Sequence, residues 1–469
     1  MRLHFTVTFA ATVLATSVAP AQQLTTTERA RIDSVARAVL AGTGAPSASI
    51  AIVRSGQIVY EQGYGNGRLD PPTPANPAMR CAIGSVSKQF TATAMLLLAE
   101  EGKLSLDDHV SKWLPQLTRA DEVTIRQLLS MTAGYQDYWP QDYVFTDMQR
   151  PTTADAIMQR WAGNGKPLDF EPGSKWQYSN TNYVIAGAII EKATGMPLVD
   201  FLRQRIFAPL HMTSVADFNA APLTANDAAP YLRNALGPLR PAPKEAPGWL
   251  FAAGELSMTA HDLALWDLSV INRSILRAES YRAQQTDMLL NSGLPTRYGL
   301  GVSVGSFNGH RRISHNGAVS GYTTDNEIFP EDSAAIVVFT NIYPGAAGAP
   351  SQIAARIGNI LFAGAVTQAS QSARDQARRI YEGLMNGTID RSLFTMDANA
   401  YFTQQVIADY AASLKPLGAP TEFTAQGDAL RGGMTIRSYR IVAGGVVMDL
   451  TTMTRPDGKI DQYIVARAG

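Results

Sequence analysis

The stretch GSVSKQFTATAMLLLAEEGKLSLDDHVSKWLP, Gly84 to Pro115, decides how the rest of the chain is read. From about Ser85 to Glu101 it predicts a helix that is apolar nearly all round, with Val86, Phe90, Ala94, Leu96, Leu97 and Leu98 on several faces. Gly102 is a suitable C-terminal stop. A helix with so little polar surface is buried, so a domain has to be built around it. Ser85 and Lys88 stand in its first turn, three residues apart, which lets the lysine amine lie over the serine hydroxyl.

Upstream, Ser47 to Glu61 reads as two β runs around a turn at Ser55-Gly56. Gly63, Gly65 and Gly67 follow, and are expected to serve turn chemistry at the exit of that hairpin rather than a phosphate cradle. Downstream, from about Ser105 to Leu289, the pattern predicts mostly helix with many Pro and Gly breaks. Strand character returns at Tyr298–Val304, Arg311–Ser314, Thr323–Phe329 and Ala334–Thr340, and a helix from Gln352 to Phe362 closes the unit. Strands at both ends with helices between them predict an α/β (α+β) domain over residues 22–365: one sheet assembled from both ends, flanking helices and an all-α lobe.

Ala363 to Gln371 is small and polar and reads as a linker. Residues 372–469 then form a small α+β domain. Ala373, Ala377, Ile380, Tyr381 and Leu384 make one apolar helical stripe, and a second helix runs near Ile407 to Lys415. Four alternating segments, Thr421–Ala425, Thr435–Val442, Val446–Met453 and Ile460–Val465, predict an antiparallel sheet. At the other end, Leu3 to Val18 is apolar with Thr and Ser, and Ala19-Pro20-Ala21 supplies the small residues of a cleavage site. Residues 1–21 are therefore expected to be a signal peptide cut before Gln22, giving an exported protein, periplasmic or extracellular, with no later membrane span.

Composition narrows the function. A chain of 469 residues calls for more than one domain. Forty Lys and Arg balance forty Asp and Glu, so no basic field exists to hold a nucleic acid. The single cysteine, Cys81, cannot close an internal disulfide and reads as a small core residue rather than a nucleophile. The six histidines stand apart without H-E-x-x-H, so no metal is expected, nor any other cofactor. G-x-S-x-G is absent, which removes the α/β-hydrolase reading. The expected partner is a small molecule, short peptide or ester; the oligomeric state stays open.

Three short patterns stand in order: Ser85-x-x-Lys88, Tyr178-x-Asn180 and His315-x-Gly317. Each has an ordinary alternative. Ser85 could cap a helix, Lys88 be a solvated first-turn residue, Tyr178 a core aromatic, Asn180 a turn residue and His315 a satisfied strand histidine. Together they make a mechanism. A serine hydroxyl needs a nearby base, and a lysine on so apolar a helix loses hydration, which favours its neutral form. Tyr178 could complete the proton path, and Asn180 could hold Lys88 and donate to a substrate amide. Backbone N–H groups of Ser85 and Ala318 would face the developing oxyanion. Gly317, lacking a side chain, would leave room for substrate along the strand edge.

At these residues the chain resembles the penicillin-recognising serine hydrolases: class C β-lactamases, DD-peptidases, D-aminopeptidases and related esterases. The segments TIRQLLSMTAG, PGSKWQYSNTNYVIAGAIIEKATGMPL, GELSMTAHDLALW and SHNGAVSGY fall in that family's order, from roughly Ala45 to Phe362. The resemblance implies a β-lactamase/transpeptidase-like fold, Ser85 as acylated nucleophile, Lys88 as its base partner and Tyr178 as proton shuttle. It also implies that Asn180, His315 and Gly317 bind substrate. Where many relatives carry Lys-Thr-Gly this chain has His315-Asn316-Gly317, and a histidine is only partly charged near neutral pH. The expectation is therefore a D-stereospecific peptidase, amidase or DD-carboxypeptidase. A carboxylesterase or weak class C-like β-lactamase comes next, and a non-catalytic ligand-binding member is the rival of another class.

Overall fold

The structure is a computed structural model that describes residues 23–141, 144–220, 222–362, 368–431 and 433–468. The expected signal peptide lies outside the described residues. Helix α1 (Thr26–Thr43) opens the described chain, with Thr25 and Glu28 closing a reciprocal cap at its start. The hairpin β1 (Ser47–Arg54) and β2 (Gln57–Leu69) follows, joined at Ser55-Gly56, where both residues have positive φ. Gly63, Gly65 and Gly67 lie inside β2 rather than in a turn. Their smallness serves close approach: a Cβ on Gly65 would sit 2.2 Å from Pro46 O.

A seven-stranded antiparallel sheet forms from both ends of the unit. With β3 (Pro72–Pro74), β4 (Ser303–Phe307), β5 (His310–Val319), β6 (Tyr322–Phe329) and β7 (Ala334–Thr340), its order is β3-β2-β1-β7-β6-β5-β4. The period of two in β1 and β7 divides two cores. Ile50, Ile52, Ile336 and Val338 face α1 and the closing helix, Ala349–Leu361. Ala51, Val53, Val337 and Phe339 face the other way, towards α2 (Ser87–Glu100) and the helix Ala260–Asn272. Phe90 and Trp266 meet there with ring centroids 4.7 Å apart.

Two further expectations need correction. The first strand after the insertion begins at Ser303, not Tyr298, because Arg297 and Gly301 adopt positive φ and hold the preceding segment as a loop. The middle of the chain is mainly turn and loop. Its helices, Ile125–Leu129, Ala154–Trp161, Asn180–Thr194, Leu198–Leu202, Ala260–Asn272 and Ala278–Gln284, are mostly short. Prolines such as Pro151, Pro167, Pro172, Pro230 and Pro247 interrupt backbone hydrogen bonding between them.

The linker expected at Ala363–Gln371 lies partly outside the described residues, and its last residues belong to the helix Gln368–Met385. The helices Met396–Tyr401 and Gln404–Leu414 follow, the first of them not expected from the sequence. A four-stranded antiparallel sheet completes the chain: Glu422–Arg431, Met434–Ala443, Val446–Thr454 and Ile460–Arg467. This C-terminal sheet and its helices enclose a hydrophobic cluster of their own, including Tyr381, Leu384, Ile441 and Leu450. Among the described residues no helix is long and apolar enough to cross a membrane.

Candidate active site

Ser85 sits in a one-turn 3-10 segment, Gly84–Val86, that runs into α2. The turn is pressed against β5. Gly84 has φ +50, and a Cβ there would lie 2.8 Å from Ala318 N. On the strand side, a Cβ on Gly317 would lie 2.0 Å from Ile83 O. The space beside Gly317 is thus filled by the chain leading to Ser85, and this corrects the expectation that it leaves room for substrate. Thr324 Oγ1 donates to the same Ile83 oxygen at 3.0 Å.

Ala318 is turned towards the nucleophile by hairpin geometry. Val319 and Tyr322 flank the two-residue Ser320-Gly321 turn and form its hydrogen-bonded pair, so Ala318, one residue back, points its N–H away from β6. The neighbouring strand β4 pairs with β5 only as far as Ser314. Beyond it, the Ser85 turn takes that side of β5.

Lys88 is completely buried, and Ser85 is partly exposed. Lys88 Nζ lies 2.9 Å from Ser85 Oγ, 2.8 Å from Asn180 Oδ1 and 2.8 Å from Ala253 O. It also stands 4.9 Å from the centroid of the Tyr178 ring and 5.5 Å from that of Tyr183. Ser85, Lys88, Asn180 and Tyr178 are therefore brought together as expected. A small cleft lined by Ser85, Tyr138, Trp139, Asn180, Leu250 and Ala318 opens over them.

His315 is placed differently from a charged substrate anchor. It is buried, its Nδ1 lies 2.6 Å from Asn316 O, and its Nε2 lies 2.9 Å from Tyr298 Oη. A carbonyl can only accept, so Nδ1 carries the proton and Nε2 accepts from the phenol. Burial first, and Lys88 second, push the imidazole pKa down to about 3, so the ring is neutral at physiological pH.

Three contributors were not legible from residue type. Ala253 acts through its carbonyl, held by a turn in which Ala252 has φ +56 and donates its N–H to Glu255 Oε1 at 3.0 Å. Burial raises the Glu255 carboxyl to about 8. Asp137 accepts from Asn180 N at 3.0 Å and Asn180 Nδ2 at 3.4 Å, which fixes the amide with Oδ1 facing Lys88. Burial raises the Asp137 carboxyl above the usual carboxylate range, opposed by the backbone N–H groups of Trp139 and Asn180. Tyr298 donates to His315 Nε2, the nitrogen that the Asn316 carbonyl leaves unprotonated. Asp137 lies in MTAGYQDYW, just past one of the segments quoted above, and an acid three residues after Gly134 is the only signal it leaves.

The family model described as Beta-lactamase matches residues 32–357. The protein named "Penicillin-binding protein 4*" of Bacillus subtilis (strain 168) is 28% identical over 288 residues, covering 59% of this chain and 64% of that protein. The D-aminopeptidase of Brucella anthropi is 26% identical over 336 residues, covering 71% of this chain and 62% of that protein. The match thus spans less than two thirds of the length of these curated relatives. The solved octameric penicillin-binding protein homologue from Pyrococcus abyssi has TM-score 0.63 and 22% identity, over 94% of this chain and 96% of that one. That likeness of fold takes in the C-terminal sheet.

Proposed function

The chain belongs to the beta-lactamase family, and on that premise we propose that it is a serine hydrolase working through an acyl-enzyme on Ser85. One observation carries the reading: the three oxygens around Lys88 Nζ suit both states of the amine. As a neutral amine it gives two N–H bonds to Asn180 Oδ1 and Ala253 O and turns its lone pair to the Ser85 hydroxyl. As an ammonium it donates to all three. Uptake of the serine proton therefore needs no rearrangement of the site, which is how a preorganised base lowers a barrier.

Ser85 Oγ attacks the substrate carbonyl while its proton passes to Lys88. The N–H groups of Ser85 and Ala318 receive the oxyanion. Tyr178, against the amine, relays a proton from Lys88 to the leaving nitrogen or oxygen, the bond from carbonyl carbon to leaving group breaks, and the acyl group stays as an ester on Oγ. Water, deprotonated by the same Lys88–Tyr178 pair, hydrolyses the ester and restores the Ser85 proton. General acid–base help of this kind is worth about 10²–10⁴ in rate.

The substrate class proposed first is a peptide or amide with a D-residue at the cleaved bond. A relative of this chain is named D-aminopeptidase, and the neutral His315 offers no cation for a carboxylate at the third motif. Short-chain esters are the next choice. Export, carried by residues 1–21, and a division near residues 365–372 are part of the same proposal. The test is labelling with a fluorescent penicillin or a serine-reactive phosphonate, located by mass on the peptide containing Ser85. An adduct absent from Ser85→Ala supports the hydrolase; no adduct, or one unchanged in that variant, favours a ligand-binding member. Turnover of D-aminoacyl amides against p-nitrophenyl esters ranks the two substrate classes.

A further inference from the structure

A second, larger groove of about 860 Å³ has in its wall Trp176, two residues before Tyr178, and Ser314, next to His315. Trp176, Arg297 and Ser314 line it from the catalytic unit, and Asp428 and Arg431 from the C-terminal sheet. A chain of side-chain contacts links its wall to the reacting atoms. Trp176 contacts the Tyr298 ring at 5.8 Å, Tyr298 bonds His315, and the His315 ring lies 6.2 Å from that of Tyr178. A volume of this size suits several residues of an extended ligand.

The charges in the groove are unequally engaged. Arg311 and Arg312 are held by Glu331 and Glu327 at 3.1 and 2.8 Å. Arg297 and Arg431 are exposed, and among the described residues neither guanidinium has a carboxylate partner. Asp428 faces Ser306 Oγ at 3.4 Å. Arg297 is also held in the left-handed region, φ +59, by Asp287 Oδ1 accepting its N–H at 2.6 Å and by Val304 N donating to its carbonyl at 2.9 Å.

We infer that this groove binds the leaving-group portion of the substrate, and that the portion is a peptide carrying carboxylates, received by Arg297 and Arg431 with Trp176 as an apolar rest. The inference takes its direction from the acyl-enzyme reading, in which Tyr178 faces the leaving group. It assigns to the C-terminal unit a wall of the binding site, and it places carboxylate recognition in the groove, where His315 cannot supply it.

The test separates binding from turnover. The full chain bearing Ser85→Ala is titrated by calorimetry with the peptide D-Ala-Gly-Asp-Glu and with its neutral counterpart D-Ala-Gly-Asn-Gln amide. The acid peptide is expected to bind about fivefold tighter or more, an advantage that shrinks with added salt. It is lost in Ser85→Ala carrying Arg297→Gln and Arg431→Gln, whose melting temperature stays unchanged. Equal binding of the two peptides, no binding of either, or an advantage that survives the double substitution overturns the inference. Labelling of wild-type Ser85 by fluorescent penicillin is read separately, so failure of the hydrolase reading is told apart from failure of the groove.

Discussion

Burying an amine in its charged form costs several kcal/mol, and Lys88 has no exposed surface. Three oxygens offset that cost, and a hydrophobic replacement would take the donor away from the buried Asn180 Oδ1 and Ala253 O. Lys88→Met is therefore expected to lower Ser85 acylation about 10³-fold and also to lower the melting temperature. Asp137→Asn tests the support of the same amine. It breaks the arrangement that aims Asn180 Oδ1 at Lys88, and kcat should fall about tenfold with little change in KM. Ser85 and Lys88 were readable because chemistry and spacing lie together in four residues. Asp137 was not, because it sits 43 positions from Asn180, and Ala253 was not, because a carbonyl leaves no residue-type signature. The charge state of His315 was half readable. Its folded pKa near 3 lies below the unfolded value of about 6.5, so the unfolded chain takes up the proton first. The resulting stability is full above pH 6.5 and is lost as pH falls from there towards 3, at up to about 1.4 kcal/mol per pH unit. Denaturant melts from pH 7 to 4 should show a shallower slope for His315→Asn than for wild type, and the activity profile should carry no inflection from this ring near pH 6.5.

At the scale of elements, the site depends on how closely the turn before α2 meets β5. Gly84 and Gly317 are the two positions at which any side chain would separate them. Gly84→Ala places a methyl 2.8 Å from Ala318 N in a left-handed backbone, so a loss of about 1–3 kcal/mol is expected. The more telling result is acylation of Ser85 falling further than the melting temperature alone explains, since the substitution moves the oxyanion donor away from the nucleophile. Parallel losses would show that the contact is merely structural. The strands β1 and β7 were legible because each alternates between two cores and carries β-branched residues. β6 was legible in outline, although its buried Asp325, Asn326 and Glu327 depend on partners elsewhere: Ser351, Asp267 and Arg312. The segment Tyr298–Val304 carried strand-forming residues, but the Gly301 backbone is held as a loop by Leu129 O and packs beside Lys88 O, far away in the chain, and local propensity does not register such contacts.

Across the molecule, three hydrophobic clusters among the described residues divide the chain: two on the faces of the large sheet, and one among residues 377–463 that shares no member with the others. The sequence reading anticipated a separate C-terminal α+β unit from its own apolar stripe and turn glycines. It had no means of finding the groove, because Arg297 and Arg431 belong to different units and neither pattern mentions the other. A separate core makes a strong prediction about removal of the C-terminal unit. A chain ending at Phe362 keeps both clusters that flank the large sheet, as well as Ser85, Lys88, Tyr178 and Asn180. The unit it loses touches the remainder through polar contacts such as Ser306 with Asp428. Its melting midpoint should shift by no more than about 2–4 °C, the displacement produced by roughly 1 kcal/mol in a domain of 150–250 residues. Penicillin labelling of Ser85 should persist, and the preference for acid-ended peptides should weaken with the loss of Arg431, Arg297 remaining. A truncated chain that aggregates, or melts far lower, would mean that the C-terminal unit stabilises the catalytic unit as well as lining its groove.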